Sequence, residues 1–217
     1  MSMAQRYCLF FTGIGFQSAG VALVVKSLLG TSPISSVPYV MSLIIPFTFG
    51  QTTLMVNLLF LFGQILLLQK RFHMVQLLQA PVTVVFAFLI DCFMALFAEV
   101  MPTFYLWKLF FLLTGASFVS LGVALQVIAN VLMLSGEGIV YAISDTFGIE
   151  FGKVKTGFDC FLVMMGILLC VLFLPAIEGI REGTLISALI TGSIARCFIH
   201  RLSYADKTGN LRFKWLR

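Results

Sequence analysis

Along the chain, apolar stretches recur at lengths that match a lipid bilayer, separated by short polar breaks. Six of them are long enough to cross: about 8–28, 54–68, 75–97, 107–133, 156–174 and 185–200. Roughly 20 apolar residues in helical form span the ~30 Å hydrocarbon layer. Within lipid a helix satisfies its own backbone, so these runs predict transmembrane helices. The second run is the shortest and needs its polar flanks to reach both interfaces. Two further runs, 34–47 and 138–147, are polar at their starts. At 1.5 Å per residue they reach only roughly 21 and 15 Å, which predicts partial or re-entrant helices.

The pattern is duplicated. Gly20-Val21-Ala22-Leu23 recurs as Gly122-Val123-Ala124-Leu125, a spacing of 102 (122 − 20). At that spacing Tyr39 meets Tyr141, Ser42 meets Ser144, Phe49-Gly50 meets Phe151-Gly152 and Asn57 meets Asp159. Ile65-Leu66-Leu67 likewise meets Ile167-Leu168-Leu169. Further on the spacing becomes 108, where Leu77, Ala80 and Thr83 meet Leu185, Ala188 and Thr191. The second copy therefore holds six extra residues (108 − 102), near 178–183. The chain divides into repeat 1 (1–101), repeat 2 (102–202) and a basic tail (203–217), each repeat carrying three spans and one short helix. Interrupted segments at matching places in a duplicated membrane protein point to a site between the halves.

Composition removes the soluble alternative: 60% of residues are hydrophobic and 11% charged, with a mean hydropathy of +1.05. The net charge of +5 sits mainly at Arg6, Lys70-Arg71, Lys153/Lys155 and the tail, where it reports orientation rather than nucleic-acid binding. With three crossings per half, these basic residues share one side with Arg6, and the loops near Glu99 and 178–182 take the other. With four crossings per half, Lys70-Arg71 would change sides. The excess of Lys and Arg on cytoplasmic loops thus favours six spans, both termini cytoplasmic and an inverted second half. Lys26, near the outer end of the first span, is the exception. That span is read as retained, a cleaved signal peptide being the alternative. The five cysteines form no CxxC pair and are expected to be small buried hydrophobes. No metal-ligand cluster, nucleophile–base arrangement or phosphate loop stands out, and His73 and His200 lack ligand spacing.

Leu29-Gly30-Thr31-Ser32-Pro33, the Thr48-Phe49-Gly50 turn, Leu77-Leu78-Gln79-Ala80-Pro81 and Gly179-Ile180-Arg181-Glu182-Gly183-Thr184-Leu185 together resemble the bacterial YczE/YitT-like membrane proteins. The resemblance covers nearly all of residues 8–201. It is closer to the short YczE branch than to the YitT branch, which carries a soluble C-terminal domain. It implies a bacterial inner-membrane protein and supplies neither substrate nor catalytic residues.

Candidate site residues come from the short helices and the spans around them. Thr31-Ser32-Pro33 reads as a helix start, with Ser32 at the N-cap and proline at the first helical position. Inside the membrane its free N–H groups would suit an anion or a polar solute; at the interface it is an ordinary cap. Ser135-Gly136-Glu137-Gly138 holds the equivalent place, and Ser135 again can cap. Glu137 either complements the helix dipole or, in a low-dielectric cavity, holds a proton, a cation or a substrate amine. Asn57 and Asp159 are a matched polar pair expected to face inward, as site residues or as interhelical glue. Gln126 and Asn130, four apart, lie on one helix face leading toward Glu137. Asp91, deep in the third span without an evident partner, joins Glu137 and Asp159 as a coupling candidate.

These readings converge on an all-α membrane protein of six transmembrane helices plus two short ones, in two inverted repeats. The expected function is a small secondary transporter or channel-like permease for a polar or charged solute, bound near the midplane. It would work by rocking one half against the other, with a proton at Glu137 as the coupling idea. The alternative is a non-transporting membrane partner that stabilises or regulates another complex. No enzyme activity, cofactor or metal is expected; lipid and an unknown small solute are the expected partners, and a homodimer stays open.

Overall fold

The computed structural model describes residues 2–205 and 211–213. Eight α-helices follow in order: α1 Met3–Lys26, α2 Pro33–Ile44, α3 Phe49–Leu68, α4 Gln79–Leu96, α5 Tyr105–Ala129, α6 Ser135–Phe147, α7 Phe151–Phe173 and α8 Glu182–Leu202. Two 3₁₀ turns, Gln69–Arg71 and Met74–Leu78, join α3 to α4. A three-residue antiparallel pair, Ser203–Ala205 with Leu211–Phe213, follows α8. The remainder of the basic tail lies outside the described residues.

Six helices (α1, α3, α4, α5, α7 and α8) are long and apolar enough to cross a membrane. The chain is therefore a helical, multi-pass membrane protein. Hydropathy alone clips their polar starts. The third helix begins at Phe49 rather than 54 because Thr48 and Gln51 close a capping box. The Thr48 Oγ1 accepts from the Gln51 amide at 3.1 Å and the Gln51 Oε1 accepts from the Thr48 amide at 3.0 Å. What reads as the shortest span becomes a helix of 20 residues. The short helices hold 12 and 13 residues, about 18 and 20 Å long.

α1 and α5 run antiparallel at the centre. Arg6 Nε donates to the Ala129 carbonyl at 2.9 Å. A Cβ on Gly13 would stand 2.8 Å from the Gly122 carbonyl oxygen, and one on Gly20 would stand 2.6 Å from that of Gly115. Lipid tails are as apolar as leucine, so helices gain by close backbone approach, which needs small residues at the crossing. Of the apolar stretch of α1, 67% is buried, against 11% for α8, so α1 is the core and α8 the rim.

α3 and α4 pair as an antiparallel hairpin: Thr48 before α3 meets Asp91 late in α4, and Gln64 late in α3 meets Gln79 at the start of α4. One end of the bundle gathers Arg6, Arg71, His73 and Asp145, and is called the basic end below. The other holds Lys26, Ala98, Leu29 and Gly183, where Lys26 Nζ donates to the Ala98 carbonyl at 3.3 Å. The cysteines depart from expectation: Cys8, Cys92, Cys160 and Cys197 are exposed and only Cys170 is buried. The outer surface of a membrane bundle is itself apolar, as Leu59, Phe88 and Leu189 show, so an apolar thiol needs no core.

Candidate functional site

A cavity of about 630 Å³ opens near the basic end. Its walls come from α5 (Val123, Gln126, Val127), the strap 130–134 joining α5 to α6, and the first turns of α6 (Glu137, Gly138, Tyr141). Gln64, Gln76, Gln79 and Phe151 complete it, with His73 among the lining residues. Three residues singled out from sequence, Gln126, Asn130 and Glu137, thus share one cavity. Glu137 is half-buried, and among the described residues no Lys, Arg or His lies within 4 Å of its carboxylate.

Behind Glu137 lies a polar cluster that the sequence reading missed. Gln64 and Gln79, 1% and 3% exposed, exchange amide hydrogen bonds: Gln64 Nε2 donates to Gln79 Oε1 at 3.1 Å, and Gln79 Nε2 to Gln64 Oε1 at 3.3 Å. Gln64 Nε2 also donates to the Ser135 carbonyl at 3.2 Å, and Thr83 Oγ1 to the Gln79 carbonyl at 2.7 Å. A Cβ on Gly138 would stand 2.6 Å from Gln64 Oε1, so glycine lets the amide lie against α6. Nearby, Gln126 Nε2 donates to Gln17 Oε1. Buried amides need partners, and here each finds another amide, except the Gln76 Oε1, which is buried without one. A glutamine inside an apolar run was the available signal, and Gln17, Gln64 and Gln79 all carry it.

The opposite end is closed. The amide of Gly183 donates to the Leu29 carbonyl at 2.8 Å, the Thr31 amide to Thr184 Oγ1 at 3.2 Å, and Ser187 Oγ to the Thr31 carbonyl at 3.4 Å. Glycines make this approach possible. A Cβ on Gly183 would lie 2.7 Å from the Leu29 oxygen, and Gly30, at φ +128°, sits 2.5 Å from Thr184 Oγ1 by the same measure. Gly179, at φ +75°, lies under the Tyr39 ring. The six residues by which the spacing grows from 102 to 108, near 178–183, lead into this seal.

Contacts also tie residues to their own counterparts 102 positions on. Phe16 meets Phe118 edge-on at 5.5 Å between ring centroids (118 − 16 = 102), and Ile34 reaches Gly136 (136 − 34 = 102). Leu28 and Asn130, again 102 apart, both take positive φ, at 60° and 47°. Other contacts come in exchanged pairs: Gly13 with Gly122 and Gly20 with Gly115, and Gln64 with Gly138 and Ser36 with Gly166.

Several expected roles change. Ser135 is not the cap of α6; Leu134 is, and Ser135 is buried in the first turn beside Thr83. Ser32 occupies the N-cap of α2 but makes no side-chain cap bond, its hydroxyl donating to Ser35 Oγ at 2.9 Å. Thr31 and Ser32 belong to the closed end, and Gly136 faces Ile34, so none of the three lines the cavity. Asn57 is half-buried, and its Nδ2 donates within its own helix to the Thr53 carbonyl one turn back, at 2.9 Å. Asp159 pairs with Lys155 on α7 instead of entering the cavity. Asp91 has structural partners, accepting from Thr48 Oγ1 at 2.6 Å and from the Gly50 amide at 2.7 Å. It is the anion at the start of α3, where the free N–H groups welcome one. Among the described residues no group of three or more His, Cys, Asp or Glu could hold a metal ion.

Residues 4–200 match the model of a family of unknown function, DUF6198, and the chain belongs to that family. Neither a curated protein nor a solved structure matches it.

Proposed function

For a member of that family, we propose a small secondary permease of the bacterial inner membrane, built from two inverted three-span halves. The observation that carries the reading is the pairing of residues with their counterparts. Exchanged contacts across an antiparallel α1–α5 pair, with Phe16 on Phe118 and Ile34 on Gly136, are what a twofold axis in the membrane plane requires. On this reading α2 and α6 are re-entrant helices whose first turns meet near the midplane, and the excess of basic residues puts both termini in the cytoplasm. The motifs of the short-helix straps and of the 179–185 loop support a relation to the YczE branch.

Mechanism follows from the unequal ends. The cavity opens toward the basic, cytoplasmic side, while its counterpart is sealed by Leu29–Thr31 against Gly183–Ser187. By the 108 spacing, Gln76 and Gln79 stand where Thr184 and Ser187 stand in the seal. Thr184 Oγ1 receives the Thr31 amide; the Gln76 Oε1, at the position that matches Thr184 by this spacing, is unpaired. Transport then exchanges the two states: the outer seal parts while the 130–134 strap closes on Gln76. With no phosphate-binding motif, the solute's gradient or an ion gradient drives it, and the reading assigns no enzyme activity.

The test needs no known solute. In a cysteine-free variant carrying Val127→Cys, a membrane-impermeant maleimide is applied to one face of oriented proteoliposomes at a time. Labelling from both faces is expected, with outer-face labelling abolished by a reversible disulfide between Thr31→Cys and Ser187→Cys, which face each other across the seal. Labelling from the cytoplasmic face alone, unaffected by that cross-link, would overturn transport in favour of a non-transporting membrane partner.

A further inference from the structure

We infer that the cavity binds a protonated amine with an apolar body. The inference rests on the permease reading and names its substrate class. Three independent features of the walls select that chemistry.

The first is space and surface. About 630 Å³ falls within the 300–1,000 Å³ common for small-molecule sites. Most of the lining is aliphatic or aromatic: Val123, Val127, Leu132 and Leu134, with Tyr141 and Phe151. An apolar body is stabilised there by leaving water, and the ring faces attract a cation.

The second is charge. Among the described residues Glu137 is the only carboxylate that lines the cavity, and no described lysine or arginine joins it there. Two groups on α7, Lys155 and Asp159, act electrostatically on Glu137, but they are bonded to each other. Their charges cancel, so the trio carries −1. The N-terminus of α6 contributes about +0.5, which leaves Glu137 and its immediate neighbours negative; Arg6, bonded to the Ala129 and Asn130 carbonyls, is the cation at the cavity's edge. His73 is exposed.

The third is hydrogen bonding. The Gln76 Oε1 is a buried acceptor with no donor. Gln76 and Glu137 both line the cavity, and an ammonium, which brings donors only, complements a wall whose unmet groups are acceptors. A carboxylate or phosphate ligand would meet the opposite of what it needs on both counts.

An isosteric series reads the class directly. Binding of 4-phenylbutylamine, 4-phenylbutanol and 5-phenylpentanoate to the full chain in lipid nanodiscs is measured calorimetrically at pH 7. The expected result is amine tighter than alcohol by at least tenfold and no binding of the carboxylate. Glu137→Gln should erase the preference, leaving amine and alcohol equal. Val127→Trp, which fills the cavity with Glu137 intact, should weaken both. Should the alcohol or the carboxylate bind as well as the amine, with Val127→Trp still blocking, the amine class falls and the cavity reading stands. If none of the three binds and Val127→Cys resists maleimide from both faces, the permease reading falls with it. A preference for the amine that survives Glu137→Gln also overturns the inference.

Discussion

The two straps that lead into the short helices are built alike and finished differently. Each leaves its long helix through a non-glycine residue at positive φ, Leu28 in one and Asn130 in the other. Each then places a short helix whose first turn approaches its counterpart. From there they diverge. The first strap carries Gly30 and is met by Gly183, so backbone packs on backbone and the end is shut. The second has Leu132 and Val75 at those places (30 + 102 and 183 − 108). Side chains there hold the strap away from α4, and a cavity remains. Two straps that start alike thus come to differ through a few glycines.

The comparison is broken most completely by giving the sealed end the open end's residue. Gly183→Val pushes a side chain into the Leu29 carbonyl. A buried Ser187→Cys, unreactive in an otherwise unaltered cysteine-free chain, should become fully reactive to an impermeant maleimide applied at that end. Unchanged protection would mean that the glycine is dispensable to the seal.

Next comes the crossing that both straps share. Gly20→Leu places its side chain against the Gly115 carbonyl and should cost about 3 kcal/mol, the upper range for overpacking, read as a fall in Tm in detergent. A similar loss is expected for the carboxylate transplanted to the sealed half. Ser35, counterpart of Glu137 (137 − 102), is 7% exposed. Ser35→Glu should therefore cost about 2.5 kcal/mol, in line with a carboxylate inside the membrane. The difference between Ser35→Glu and the tolerated Glu137 measures how much the cavity relieves.

A smaller effect concerns pH. Protonation neutralises Glu137, so amine binding weakens as pH falls, and Glu137→Gln should make the acid limb flat. His73→Gln, which removes the imidazole that also lines the cavity, should leave the acid limb in place. Lys155 and Asp159, facing from α7, remain paired. A wild-type profile in Glu137→Gln would return Glu137 to the role of dipole complement. Smallest of all is Thr31→Val. The Thr31 Oγ1 is buried without a partner, and replacing an unsatisfied hydroxyl by a methyl should change stability by less than about 1 kcal/mol. A loss of 2 kcal/mol or more would show that the hydroxyl has a partner in the membrane.

How much of this was legible beforehand differs by kind of residue. The six crossing helices follow from local composition, because hydropathy acts on each segment by itself. Helix ends were less legible: the capping box at Thr48 extends α3, and Leu134 rather than Ser135 starts α6. The grouping of Gln126, Asn130 and Glu137 was readable because helical spacing and a short strap keep them near one another. Asp91 and Asp159 misled because their partners decide their meaning. One caps a helix from another span, and the other pairs within its own turn.

The sequence by itself determined that this is a helical membrane protein with six helices long and apolar enough to span, and that short motifs recur at a spacing of 102, since hydropathy and spacing are properties of the chain alone. It also determined where the anomalous short helices fall. Only the tertiary structure decided which end of the bundle is open, and that the buried glutamines cluster with one another. It also decided that glycines at Gly30 and Gly183 form a seal rather than a turn. The physical reason is that a hydrogen bond or a close backbone approach relates segments from 15 to 153 residues apart, and no local pattern records which of several polar groups will meet.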